Sequence, residues 1–122
     1  MNERMIENLP QLVNRDPAIL RWGRGMHETF MVEVGDTQFL LTVDDGRIEK
    51  VEKGPFTQRP WRFAIRAKAE CWDRFWQKPP APGWHDLFAL LRHGDVKFEG
   101  DQRFLMAYML YVKLILAAPR DA

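Results

Sequence analysis

Apolar positions in the first 25 residues recur at helical spacing, but only in short runs. Met5, Leu9, Leu12 and Val13 share a face, and Pro10 removes a ladder hydrogen bond among them. Asp16 followed by Pro17 reads as an N-cap and first helical position, opening a short helix through Ile19, Leu20 and Trp22 that Gly23 and Gly25 end. The period then drops to two. Phe30, Val32 and Val34 alternate with Met31 and Glu33, Gly35-Asp36 can turn the chain, and Phe39, Leu41 and Val43 alternate on the return. Asp44-Asp45-Gly46 is a hairpin signature, because Asp-Gly readily supplies positive φ. A third strand from Arg47 has Ile48 and Val51 on opposite faces, which predicts a bulge or an edge position.

Past Pro55 and Pro60, strict alternation returns, with Trp61, Phe63 and Ile65 on one side and Arg62 and Arg66 on the other. Residues 69–77 switch to helical spacing, with Trp72, Phe75 and Trp76 on one stripe. After a stiff Lys-Pro-Pro-Ala-Pro-Gly break, Trp84, Leu87, Phe88 and Leu91 stand at i, i+3, i+4 and i+7 of a helix that Gly94 ends. Val96 to Gly100 is a short strand, and Asp101 caps a final helix. This order predicts one α+β domain over residues 1–122: a five-stranded, mostly antiparallel sheet covered by helices on one side.

The final helix is apolar on two faces. At 100° per residue, Phe104, Tyr108, Tyr111 and Ile115 gather near one line, while Met106, Met109, Leu110 and Ala117 lie opposite, around Lys113. Burying Met106, Met109 and Leu110 is worth about 5–9 kcal/mol together, comparable with the ~5–15 kcal/mol stability of a small domain. That second face is therefore expected to be covered. Plain core packing, a ligand cavity and a surface for a partner or second copy all satisfy the pattern. A membrane span does not, because about 15 helical residues reach only ~23 Å of a ~30 Å hydrocarbon layer.

Composition narrows the classes. Eighteen basic residues against seventeen acidic leave no surplus for a nucleic-acid partner. A single cysteine, Cys71, permits no internal disulfide, and the N-terminal residues lack the continuous apolar run of a signal peptide, so a cytoplasmic location is expected.

Chemistry is sparse. The chain has no serine, and Cys71 has no local histidine. His27, His85 and His93 form no i, i+4 pair, so no metal is expected. His85 beside Asp86 reads as a helix-start pair, and the turn accounts for Asp44 and Asp45. Gly94 to Asp101 lacks the Gly-Lys-Ser/Thr of a phosphate loop. Arg62, Arg66 and Lys68 alternate along one strand face, the pattern of a solvated face. No catalysis and no cofactor are expected.

Three stretches together resemble the sterol carrier protein domain, the non-specific lipid-transfer fold. They are FMVEVGDTQFLLTVDDGRI (30–48), LLRHG (90–94) and GDVKFEGDQRFLMAYMLYV (94–112), and the likeness covers about residues 9–116. The resemblance implies a hydrophobic tunnel between sheet and helices that holds a fatty acid, acyl-CoA or sterol-like lipid. The lining residues would be Trp72, Phe75, Trp76, Phe88, Leu91, Met106, Met109 and Leu110, with Arg62 and Arg66 near the mouth meeting a charged head group. An interaction module, paired with a second copy or with a lipid-metabolising enzyme, is the alternative. The chain departs from animal members at Arg120-Asp121-Ala122, which does not resemble their peroxisomal address.

Overall fold

The computed structural model describes residues 2–80 and 82–121, with the side chains of residues 2, 3, 93 and 121 outside the description. Three short helices, α1 (Asn2–Glu7), α2 (Leu9–Val13) and α3 (Pro17–Trp22), precede strands β1 (His27–Val34), β2 (Thr37–Asp44), β3 (Arg47–Lys53) and β4 (Phe63–Ala67). Helices α4 (Ala69–Phe75) and α5 (Leu87–His93), strand β5 (Val96–Gly100), and helices α6 (Gln102–Ala107) and α7 (Met109–Ala117) follow, with a closing 3-10 turn at Ala118–Asp121. The cap signals at Asp16 and Asp101 operate as written, and Asp86, expected inside a helix beginning at Trp84, is a third cap. The side chains of Asp16, Asp86 and Asp101 accept backbone N–H groups of Ala18 (3.0 Å), Phe88 (2.9 Å) and Phe104 (2.9 Å), satisfying donors that have no partner inside the helix.

The strands form one sheet in the order β3-β2-β1-β4-β5. Three pairings are antiparallel, but β1 and β4 run parallel, with Val32 opposite Ile65, so the sheet is mixed. A parallel neighbour cannot be reached by a hairpin. The chain leaving β3 at one edge must cross the sheet to reach β4, and it does so over the face away from the helices. There Phe56 and Trp61 cover Met31, Leu40 and Ala64. Trp61 was expected beside Phe63 and Ile65; it lies on the opposite face, because β4 begins only at Phe63 and the crossing segment carries the indole beneath itself.

The irregularity read into the third strand is a bulge. Thr42 pairs with Lys50 and Val43 with Ile48, leaving Glu49 as the extra residue. Ile48 and Val51 thereby both face the core. On its outer side β3 is an edge, and Asn14 occupies part of it. Its Nδ2 donates to the Ile48 carbonyl (2.9 Å) and its Oδ1 accepts the Ile48 N–H (2.8 Å), as a neighbouring strand would.

The core lies between the inner sheet face and the helices, where Phe30 and Phe63 stack 4.8 Å apart under Leu9, Val13, Val112 and Ile115. The single final helix expected from the pattern is divided at Tyr108 (φ −114°, ψ 24°), whose N–H is shared between the Phe104 and Leu105 carbonyls. Phe104 and Tyr108 rings meet 5.1 Å apart before the break. Beyond it, buried Tyr111 donates its hydroxyl to the Gly46 carbonyl at the β2–β3 hairpin tip. That tip adopts the positive φ its sequence foretold, at Asp45 (51°) and Gly46 (86°). It lies so close to Gly23 that a Cβ there would sit 2.5 Å from the Tyr111 ring and 2.7 Å from the Gly46 Cα.

Two expectations follow. Gly23→Ala should destabilise the fold by about 3 kcal/mol through overpacking against backbone, read by urea denaturation. Burial raises the Tyr111 hydroxyl pKa well above its ordinary value. The unfolded chain ionises near pH 10 while the folded chain keeps the proton, so the Tyr111 contribution is intact below pH ~10 and is lost as pH rises beyond it. Thermal midpoints measured between pH 8 and 11 should fall more steeply for the wild type than for Tyr111→Phe.

Candidate functional site

The eight residues singled out by sequence lie on helices α4 to α7 and on the turn that ends α4. The structure divides them into two sets. Trp72, Phe75 and Trp76 are buried, at 1%, 1% and 4% exposure. Trp72 stacks on Trp76 with ring centres 5.1 Å apart and meets Phe75 edge-on at 6.0 Å. Each indole has an acceptor in a different layer: Trp72 Nε1 donates to the Glu33 carbonyl of β1 (2.9 Å) and Trp76 Nε1 to the Leu116 carbonyl of α7 (2.7 Å). The three rings fill the space where a lumen was expected and belong to the core cluster.

The other five are more open. Phe88 and Leu91 on α5 are half-buried against that core, and Met109 is half-buried. Met106 is 54% exposed and Leu110 39% exposed. The expectation that the second face of the last helix is covered therefore fails at these two positions. After the division at Tyr108, α7 buries Tyr111, Val112, Ile115 and Leu116, and the stripe of Met106 and Leu110 is left at the surface. Lys113 reaches Asp86 at 3.4 Å, at the start of α5.

Two further side chains organise this region, Trp84 in a place other than the one expected and Arg120 without any signal in the sequence. Trp84, expected inside a helix, lies before it, because Asp86 takes the N-cap and α5 begins at Leu87. Arg120 follows the buried Pro119, lies over the Phe75 ring at 4.6 Å, and donates from Nε (3.0 Å) and Nη2 to the Phe75 carbonyl. Its Nη2 also reaches the carbonyls of Trp84 (3.4 Å) and His85 (3.5 Å). One guanidinium thus ties the end of α4 to the approach to α5. No local pattern signals this, since its partners lie 35 to 45 residues earlier.

The arginines expected at a tunnel mouth are already paired. Arg62 bridges Glu28 and Asp101, both at 3.1 Å, and lies over the Phe104 ring. Arg66 bridges Glu33 (2.7 Å) and Glu99 (2.5 Å). Lys68 precedes α4 and instead lines a charged cleft of about 740 Å³ with Arg74, Lys97, Cys71 and Trp84. A second hollow of about 580 Å³ runs between Leu12, Pro17 and Ile19 and the Leu114–Ala118 side of α7. A smaller one of about 190 Å³ lies under Phe56 and Trp61 on the outer face.

His27 meets Asp44 at 2.6 Å, both well exposed, Cys71 is a free half-buried thiol, and the His93 side chain lies outside the described residues. No group of three or more His, Cys, Asp or Glu side chains among the described residues could hold an ion.

No family model and no curated protein matches the chain. Solved structures do. A crystal structure of sterol carrier protein 2 superposes with a TM-score of 0.79 over 98% of this chain and 95% of its own, at 12% identity. The fold is that of sterol carrier protein 2. A conserved hypothetical protein from Thermus thermophilus gives a TM-score of 0.75 at 14% identity, over 98% of this chain and 86% of that one. A UbiJ-SCP2 ubiquinone synthesis protein gives 0.57 at 18% identity, over 93% and 88%. On this sterol carrier protein 2 scaffold, the layer between sheet and helices is closed by two indoles and a phenyl ring, with Arg120 holding the adjoining backbone in place. Arg120→Ala should lower stability by about 2 kcal/mol, since it frees carbonyls bonded to a charged donor. Lysine at 120 should restore only part of that loss, because it lacks the forked geometry. Thermal denaturation of the three proteins reads both outcomes.

Proposed function

We propose that this protein binds a hydrophobic small molecule (a fatty acid, acyl-CoA or sterol-like lipid) between its sheet and its helices, and carries it without chemistry. The observation that carries the reading is the set of apolar side chains that α6 and α7 leave at the surface of this fold. Met106 and Leu110 are exposed, while Phe88, Leu91 and Met109 are half-buried. Methionine suits such a surface, since a flexible thioether packs against variable shapes. The sterol carrier protein 2 fold supports the same reading.

The energetics set a minimum ligand. Displacing Trp72 and Trp76 breaks two indole hydrogen bonds at about 1 kcal/mol each, and association itself costs at least ~4 kcal/mol. Each buried methylene returns about 0.8 kcal/mol. A chain of roughly 12 carbons or more gives the margin that a short one lacks. The driving force is apolar area removed from water.

A second reading has its own support. Trp22 is 53% exposed along with Met106 and Leu110, and one structural neighbour is a ubiquinone synthesis protein. An interaction module or accessory subunit would use such side chains against a partner or a second copy. No helix among the described residues is long and apolar enough to cross a membrane, and a cytoplasmic location, compatible with a single cysteine, is part of the proposal.

Native mass spectrometry of freshly purified protein should show a lipid-sized increment, and tryptophan fluorescence should saturate on titration with hexadecanoate. A mass that stays apo with every chain length, together with a lipid-indifferent dimer on size exclusion, would favour the partner reading instead. Met106→Asp with Leu110→Asp should weaken hexadecanoate binding at least about tenfold, while leaving stability within about 0.5 kcal/mol, as expected for exposed positions.

A further inference from the structure

Trp84 stands between the charged cleft, which it lines, and the hydrophobic core, against which it packs. Two arginines position it. The Arg74 guanidinium lies over the ring at 5.4 Å, and Arg120 holds the Trp84 carbonyl at 3.4 Å.

The cleft carries four cations, Arg66, Lys68, Arg74 and Lys97, and four carboxylates, Glu33, Asp36, Glu70 and Asp95. Charges of both signs meet in it, with Lys68 directly before α4 and Glu70 in its first turn. The Gly35 N–H donates to the Ala67 carbonyl (2.9 Å), bringing the turn that bears Asp36 against the start of α4, which bears Glu70. Lys97 is the cross-strand neighbour of Arg66 on the sheet. Arg66 and Glu33 satisfy each other at 2.7 Å.

We propose that Trp84 is a side-chain gate between cleft and aromatic layer, and that the ligand is a single-chain amphiphile with a zwitterionic head. The head occupies the cleft and the chain runs past Trp84 into the layer. This rests on the lipid-binding reading above. A cleft whose charges cancel exerts little long-range pull on a net anion or cation, whereas fixed charges of both signs complement a head that carries both. A volume near 740 Å³ falls within the range of small-molecule sites.

The test compares three C16 probes, lysophosphatidylcholine, hexadecanoate and hexadecanol, by stopped-flow tryptophan fluorescence. Wild type, Trp84→Ala and Arg120→Gln are used, each first shown to be folded by its thermal midpoint. Lysophosphatidylcholine should bind wild type at least about tenfold more tightly than the other two. Both variants should take it up about tenfold faster, as expected when a gating element is removed or released. In lipid-free Arg120→Gln, which keeps all five tryptophans, acrylamide should quench the buried indoles more strongly than in wild type.

Equal affinities for the three probes overturn the head-group assignment. Unchanged uptake and unchanged quenching overturn the gate, and if one variant does not fold the other decides. If no probe binds wild type, the carrier reading falls and the head-group assignment falls with it. The quenching of lipid-free Arg120→Gln still judges the gate.

Discussion

The indole N–H groups of Trp72 and Trp76 join the layers of this molecule. One is donated into the sheet at Glu33 and the other into the last helix at Leu116. A buried N–H without an acceptor costs about 1–3 kcal/mol, so each ring is held where its acceptor lies, and the two stacked rings fix the spacing between β1 and α7. The same short helix is held at its end by Arg120. A segment of seven residues, too short to be stable alone, is therefore placed by three distant parts of the chain. Any ligand entering this layer competes with those bonds.

The sheet's opposite face is organised by charge around a small apolar centre. Arg66 bridges Glu33 and Glu99 there, while Arg62, just before β4 and over the Phe104 ring, bridges Glu28 and Asp101. The Arg59 hydrogen bond holds Glu52 below the usual carboxylate range. Partly exposed pairs of this kind add little stability one by one. Their larger effect is on availability: Arg62 and Arg66 of the basic stripe are neutralised within the fold, and Arg66 enters the sizeable cleft already paired, beside Lys68, Arg74 and Lys97.

Local signals were legible in the sequence and distant ones were not. Asp16 and Asp101 cap helices, Asp45-Gly46 turns a hairpin, and the phase slip between Ile48 and Val51 is a bulge; each is decided within a few residues. The parallel pairing of β1 with β4 is decided by a chain crossing that no period encodes, and Trp61 changed faces as a result. Trp72, Phe75 and Trp76 could be read as one stripe from spacing. Whether they surround a lumen or fill it depends on acceptors about forty residues away in each direction. Arg120 left no trace, since an arginine near a chain end resembles any solvated residue until its carbonyl partners are in place.

The amide of Asn14 has a consequence beyond holding α2 to the sheet. An outermost strand offers its free N–H and C=O groups to any extended segment nearby, including the same strand of another molecule. Asn14 occupies that position at Ile48, and the bulge at Glu49 interrupts the regular ladder one residue further on. Together they leave the outer side of β3 little straight, unoccupied edge on which another strand could be laid.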